Sequence, residues 1–245
     1  MNSLVSAVIP TIDGRETCLK NAINSVINQT YQNIETIVIR NNLAPISRNE
    51  GIGKSNGEFV ALLDDDDTWK KTKTEKQHKV MMDNPDCPLV ICWSRDLRFG
   101  KDRIVKPPET ITRAMLLKSF NLSSTSTYFI RKAVLKNENP VFDPALHSGQ
   151  EYDLAIRLSK YGDIKCVQEV LMIQNSTEGQ ISENWTKKIK GQFEFYRKYH
   201  REFGVFGHIK FLGLLTTFFG GFIFGNKIYS LITFMKERYE SGLSH

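Results

Sequence analysis

The sequence predicts an α/β fold with a mostly parallel central sheet and an apolar helical tail at the C-terminal end. Three observations predict it. Short runs that are apolar on both faces recur early in the chain. A helical periodicity separates the first two runs. Near residue 211 the composition shifts abruptly to uncharged, apolar residues.

Leu4 to Ile9, Ile34 to Ile39 and Phe59 to Leu63 are rich in β-branched or aromatic residues, as suits buried parallel strands. Between the first two, Leu19, Ala22, Ile23, Val26 and Ile27 fall on one helical face. Pro45 to Asn56 reads as a second, shorter helix with Gly57 as its stop. Strand, helix, strand, helix, strand is the order of a parallel sheet with crossover connections. Such sheets bind ligands at the carboxyl ends of their strands. Those ends are Pro10–Asp13, Arg40–Asn42 and Asp64–Asp67. Residues 88 to 147 read as less regular, with a strand at Ser126–Ile130 and an extended piece at Val141–Asp143. Helices are expected from Gln150 to Lys160 and from Glu183 to Phe203.

The tail, from residue 204, reads differently. Phe211 to Gly225 holds no charge, and Ile228 to Met235 is mostly apolar. Fifteen uncharged residues fall short of the roughly 20 that a membrane span needs. Residues 183–201 upstream carry six Lys or Arg against two Glu. A basic helix beside an apolar one suits helices lying on a membrane interface, with a buried hairpin or a homo-oligomer contact as the alternative. The net charge of +6 suits an anionic substrate or surface. No arginine-rich run or RNA-binding signature appears, so no nucleic-acid partner is expected. Cys18, Cys87, Cys92 and Cys166 form no CxxC pair and read as reduced thiols of a cytoplasmic protein. The N-terminus lacks the basic start of a signal peptide.

Chemistry concentrates at Asp64, Asp65, Asp66 and Asp67, directly after the third apolar run. Side chains of an extended chain alternate, so Asp64 and Asp66 can face one site while Asp65 and Asp67 face away. A few hard oxygen ligands suit Mg²⁺ or Mn²⁺ shared with a diphosphate. A solvated acidic turn before the helix near Thr72 is the plain alternative. A calcium loop would place Asp64, Asp66, Thr68 and Glu75 at its first, third, fifth and twelfth positions, but Trp69 stands where its glycine belongs.

VSAVIPTIDGRE, AINSVINQTYQNIETIVI and SRNEGIGKSNGEFVALLDDDDTWKKTKTEKQ together resemble the N-terminal half of the family 2 glycosyltransferases. The likeness continues more weakly through SSTSTYFIRKAVL and FDPALHSGQEYDLAIRL, and covers about the first 175 residues. The resemblance implies a GT-A fold: a Rossmann-like nucleotide-sugar-binding half over residues 1–100, an acceptor-side half over 101–180 and the basic helix to 203. It implies that Pro10, Thr11 and Asp13 line the nucleotide pocket, and that Arg48 lies near the donor. Asp64 and Asp66 match the family's paired acids, Asp66 as metal ligand and Asp64 against the ribose or the metal's surroundings; Asp65 between them joins the donor side. Trp69 matches an aromatic beside the site, on the acceptor side, and Glu151 falls where the family carries its catalytic base. The chain departs from the family after the second strand, where an acidic pair is replaced by Arg40, Asn41 and Asn42. Asn41 can still hydrogen-bond a base edge.

The resemblance thus implies inverting transfer of a sugar from a nucleotide-diphosphate sugar, UDP-sugar first, to a hydroxyl of a saccharide or lipid-linked acceptor. Mn²⁺ or Mg²⁺ would assist, at the cytoplasmic face of a membrane. The altered Arg40–Asn42 segment keeps a non-catalytic nucleotide-sugar-binding or scaffold protein as the alternative. A nucleotidyltransferase would need a glycine- and lysine-rich phosphate loop, and IPTIDGRE has only Gly14 and Arg15. Helical spacing puts Glu151, Ala155 and Leu158 on a partly apolar face, and Asp153, Arg157 and Lys160 on a charged one. A base gains from partial burial, which favours Glu151, although Ser148 and Glu151 also have capping-box spacing.

Overall fold

The computed structural model describes residues 3–98, 102–118, 122, 124–175 and 185–224. The chain forms two compact units. The first lies within residues 1–116, 121–144 and 150–178, the second within 117–120, 145–149 and 179–245.

The first unit opens as expected. β1 (Val5–Thr11) is buried at every residue and is followed by α1 (Glu16–Ile27), β2 (Ile34–Arg40), α2 (Ala44–Lys54) and β3 (Phe59–Leu62). β1 pairs in parallel with β2 and with β3. Leu19, Ala22 and Val26 of α1 are buried, on the face that the periodicity marked, whereas Ile27 is exposed at the helix end. β2 closes one end of the sheet and is only partly buried, so its apolar run is one-sided. Gly51 is what lets α2 approach β1: a Cβ there would stand 2.3 Å from Val8 Cγ1.

Beyond β3 come β4 (Asp67–Trp69), α3 (Lys73–Asp83), β5 (Leu89–Asp96), β6 (Arg103–Val105), β7 (Thr110–Ile111) and α4 (Arg113–Lys118). A 3-10 turn (Thr125–Thr127), β8 (Phe129–Arg131), α5 (Lys132–Leu135), α6 (Gln150–Leu158) and β9 (Ile164–Gln174) follow. The sheet runs β2-β1-β3-β8-β5-β9-β4, with β6 on β5 and β7 on β9. β8 is antiparallel to both β3 and β5, and β9 is parallel to β5. β2, β1, β3, β5 and β9 therefore share one direction, against β8 and β4.

Three readings of the middle of the chain change. Residues 88–147 hold β5, a central strand whose first four residues are buried. The expected strand at Ser126 begins only at Phe129. Ahead of it the Thr127 hydroxyl donates to the Ser124 carbonyl (2.7 Å) and the Ser124 hydroxyl accepts from Ser126 N–H (3.3 Å), which turns the backbone. Val141–Asp143 joins no strand. Its pairing comes from one side chain instead: Asn49 Oδ1 accepts from Phe142 N–H and Asn49 Nδ2 donates to the Phe142 carbonyl, each at 2.7 Å.

In the second unit α7 (Trp185–Tyr199) and α8 (Val205–Phe224) meet through aromatic rings. Tyr196 stacks on Phe211 with ring centroids 4.0 Å apart, and its hydroxyl lies 3.1 Å from His208 Nδ1. Phe203, Phe211 and Leu215 are buried, whereas Val205, Ile209 and Leu212 form an exposed apolar row. The basic helix expected to end at residue 203 thus ends at Tyr199 and groups with α8. Among the described residues no helix is long and apolar enough to cross a membrane. The start of the Glu183 helix and Ile228–Met235 lie outside the described residues.

Gly51→Ala is expected to lower stability by about 1–3 kcal/mol, the usual cost of overpacking a filled core. Urea denaturation measures it, and an unchanged midpoint would show that α2 has room to move.

Candidate active site

The carboxyl end of β3 runs straight into the four acids. The extended backbone expected here is replaced by a turn, closed by Asp67 N–H donating to the Asp64 carbonyl at 3.0 Å, and side-chain exposure across it is 24% at Asp64, 6% at Asp65 and 15% at Asp66, with Asp67 only 1% exposed as a residue. Each carboxylate has its own partners. Arg48, from α2, donates from Nη2 to Asp64 Oδ1 at 2.6 Å, and the Thr125 hydroxyl donates to Asp64 Oδ2 at 3.0 Å. The Thr11 hydroxyl, at the end of β1, donates to Asp65 Oδ2 at 2.6 Å. Arg15 reaches Asp65 at 3.3 Å and Asp66 at 3.0 Å. Ser126 bridges the turn: its hydroxyl donates to Asp67 Oδ2 (2.5 Å) and accepts from Asp64 N–H (3.0 Å).

Charge and burial set the protonation of these groups. Burial works against the charge of Arg48, and Asp64, Glu151 and Asp67 together more than offset it. Burial pushes Asp65 up, although Thr11 and Arg15 pull against it. Asp67 is pushed well above the usual carboxylate range by burial and by Asp64 and Asp66 beside it.

Glu151 lies in the first turn of α6, where burial raises its carboxyl. It is within electrostatic reach of Arg48, Asp64 and Arg98, so it shares one site with the acidic turn. Asp153 is fully buried and accepts from Arg157 Nε at 3.0 Å, while Arg157 also binds Glu138. The charged face expected for Asp153 is thus an internal ion pair.

The remaining expected residues spread outward. Pro10 sits inside β1 opposite Ile39. Asp13 is exposed, 3.4 Å from Arg40. Ile12, Asp13, Arg40, Asn41, Asn42 and Leu43 line an open cleft of about 340 Å³ at the ends of β1 and β2. Trp69 is buried, its Nε1 donating to the Ser126 carbonyl at 2.8 Å, so it reaches the acidic turn only by way of Ser126. The Lys73 ammonium lies 4.0 Å above the Trp69 ring, and burial pushes it down to about 8.

Sequence reading missed Arg15, Arg98, Thr125 and Ser126. Arg98 is held by Asp96 through Nε and Nη2, both at 2.9 Å, and acts electrostatically on Asp67 and Asp66. Arg15 follows Gly14 at the end of β1, a place already marked as a ligand-binding end. The other three carried no signal in a single sequence.

The site's donor chemistry fits a hard divalent cation. Asp64 and Asp66 are the carboxylates that keep access to solvent, and Mg²⁺ or Mn²⁺ is commonly held by one or two carboxylates together with substrate phosphates. Among the described residues no group of three or more acids, histidines or cysteines forms a cage without substrate.

Asp67 makes stability depend on pH. Its carboxyl is raised, so the folded state holds this proton more tightly than the unfolded chain. The stabilisation is complete below the unfolded value near 4 and is lost as pH rises through the raised folded value. Asp67→Asn is expected to remove that loss, so urea curves of variant and parent should separate increasingly from pH 5 to pH 8. Parallel pH profiles would contradict it.

Comparison with known proteins agrees with this architecture. Residues 40–147 match the glycosyl transferase family 2. A Bacillus subtilis glycosyltransferase named for teichuronic acid biosynthesis is 24% identical over 233 residues, spanning 81% of this chain and 89% of its own length. An Escherichia coli UDP-Glc:alpha-D-GlcNAc-diphosphoundecaprenol beta-1,3-glucosyltransferase is 24% identical over 222 residues, spanning 78% and 84%. The fold matches S. aureus TarS in complex with UDP-GlcNAc, with a TM-score of 0.58 at 17% identity, over 90% of this chain and 73% of that one. Residues 40–147 thus carry the match to the glycosyl transferase family 2, in a chain whose fold is that of the GT-A transferases it resembles.

Proposed function

We propose that this chain transfers a sugar, with inversion, from a nucleoside-diphosphate sugar to a hydroxyl of a saccharide or lipid-linked acceptor. UDP-sugar is the first candidate donor. The observation that carries the reading is that Glu151, raised by burial, shares its surroundings with Arg48 and Asp64 of the acidic turn. A raised carboxyl is the better proton acceptor near neutral pH.

The nucleotide would extend along the strand ends, its base over the Ile12–Leu43 cleft and its diphosphate toward Asp64 and Asp66. Thr11 links the two regions, since its hydroxyl binds Asp65 and its carbonyl accepts from Asn41 N–H at 3.1 Å. Asp66 and Asp64 would hold Mn²⁺ or Mg²⁺, which supplies positive charge to the diphosphate leaving group. Arg15 and Arg48 now pair with these acids and would remain beside the phosphates. Glu151 takes the proton of the acceptor hydroxyl as its oxygen bonds to the anomeric carbon. The bond from that carbon to the phosphate oxygen breaks, and its electron pair leaves with the nucleoside diphosphate. Attack opposite the leaving group inverts the centre.

Two features support a lipid-linked acceptor and peripheral membrane contact. One is the exposed row Val205, Ile209 and Leu212 on α8, following a helix with Arg197 and Lys198 in its last turn. The other is the Escherichia coli relative, whose name gives UDP-glucose as donor and a diphosphoundecaprenol-linked acceptor.

Glu151→Gln is expected to reduce turnover at least about a hundredfold, with donor affinity and melting temperature nearly unchanged. Asp66→Ala should instead abolish metal-dependent donor binding. If Glu151→Gln turns over normally while Asp153→Asn is inactive, the base is misassigned; an Asp66→Ala protein that binds donor with metal as the parent does removes the metal reading. Full-length protein should sediment with anionic vesicles, and a chain ending at residue 203 should not. Full-length protein left in the supernatant would favour a homo-oligomer contact for the α8 face.

A further inference from the structure

We infer that Tyr128 is a positioning residue for the transfer: its buried hydroxyl, bonded to the main chain of Glu151, holds the base in place relative to the acidic turn. The inference rests on the reading of Glu151 as the base and adds the residue that places it.

Tyr128 follows the 3-10 turn and is fully buried. Three bonds join it to separate parts of the site. Its N–H donates to the Thr125 carbonyl at 2.9 Å, and its carbonyl accepts from Leu62 N–H of β3 at 3.2 Å. Its hydroxyl donates to the Glu151 carbonyl at 2.8 Å. The main chain of Tyr128 is thereby tied to the strand that leads into the acids and to the turn that holds them. Its side chain is tied to the first turn of α6. The phenol ring is rigid, so it spans the gap as a strut of fixed length. Burial raises the Tyr128 hydroxyl well above its ordinary value, so it stays protonated and donates.

The bond is an addition to the helix rather than part of it. In an α-helix the carbonyl of residue 151 takes its regular bond from the N–H of residue 155, and the phenol uses the second lone pair. Without the hydroxyl, no backbone group of α6 loses its helical partner. What is lost is the tether on the first turn. That turn matters because the Glu151 carboxylate accepts from its own N–H and lies within electrostatic reach of Arg48 and Asp64. A shift of the backbone carries the carboxylate with it, and a displacement of about 1 Å can cost on the order of a hundredfold in rate. The next residue is fastened in the same manner, since the Tyr152 hydroxyl donates to the Leu116 carbonyl at 2.6 Å.

Tyr128→Phe removes one oxygen and leaves the ring to fill its place. Release of UDP from UDP-sugars in Mn²⁺, with water as acceptor, is measured for the full-length parent, Tyr128→Phe, Glu151→Gln and the double variant. Calorimetric titration with UDP counts the sites that bind, so each kcat is taken per binding site. Tyr128→Phe is expected to lower kcat about tenfold or more while UDP affinity stays within about twofold. In the Glu151→Gln background the same substitution should change kcat by less than about twofold, because a tether has no effect on rate once the base it places is gone. Parental kcat in Tyr128→Phe, or losses that multiply in the double variant, overturns the inference and leaves Glu151 as the base. A Tyr128→Phe chain that binds no UDP also overturns it, since the hydroxyl then supports the whole site. If the parent releases UDP from no UDP-sugar, or Glu151→Gln releases it as fast as the parent, the reading of the site falls, and the inference with it.

Discussion

Like charges about 4 Å apart repel by roughly 4 kcal/mol at the effective dielectric of a protein surface. Four consecutive carboxylates at the end of β3 impose that cost on the chain, and the surrounding residues answer it. Arg48 is brought in by α2, Arg15 by the turn after β1, and Thr11, Thr125 and Ser126 supply hydroxyls. The turn closed by Asp67 N–H on the Asp64 carbonyl then divides the acids in two. Asp65 and Asp67 are drawn inward and hydrogen-bonded, while Asp64 and Asp66 stay accessible, each beside an arginine. One electrostatic constraint thus yields both a rigid turn and a polar rim suited to phosphate.

Much of this was legible in the sequence, for reasons that differ by element. β1, α1, β2, α2 and β3 carry local signals, because their apolar patterns follow the period of the element they form. The split of the acids into accessible and enclosed was expected from an extended backbone, but a turn at Asp65 and Asp66 produces it instead. β5 and β9 were not legible, because a short apolar run such as Leu89–Cys92 has no period that separates strand from helix. Thr125 and Ser126 escaped notice because their role depends on β8 lying beside β3, a pairing across about 70 residues that leaves no local trace. Glu151 and Asp153 show the opposite balance. Helical spacing foresaw the Asp153–Arg157 pair, but full burial turned an expected surface pair into a core element.

Trp69 illustrates how a site can use an aromatic it does not expose. Its ring is closed over by Lys73, and its N–H holds the Ser126 carbonyl, while the Ser126 hydroxyl holds the acids. The shape of the turn therefore depends on packing well behind the surface that a ligand would touch.

The Asn49 amide that pairs with both backbone groups of Phe142 has a further consequence. Asn49 stands next to Arg48 on α2, so a single helical turn fastens the acidic rim and also anchors the segment that precedes α6. Phe142 itself packs 5.3 Å from the Arg48 guanidinium. Positions 48, 49 and 142 therefore form one structural block. Descendants of this chain should change them together or not at all, and a library that randomises them singly would return dead clones whose defect lies in alignment rather than in chemistry.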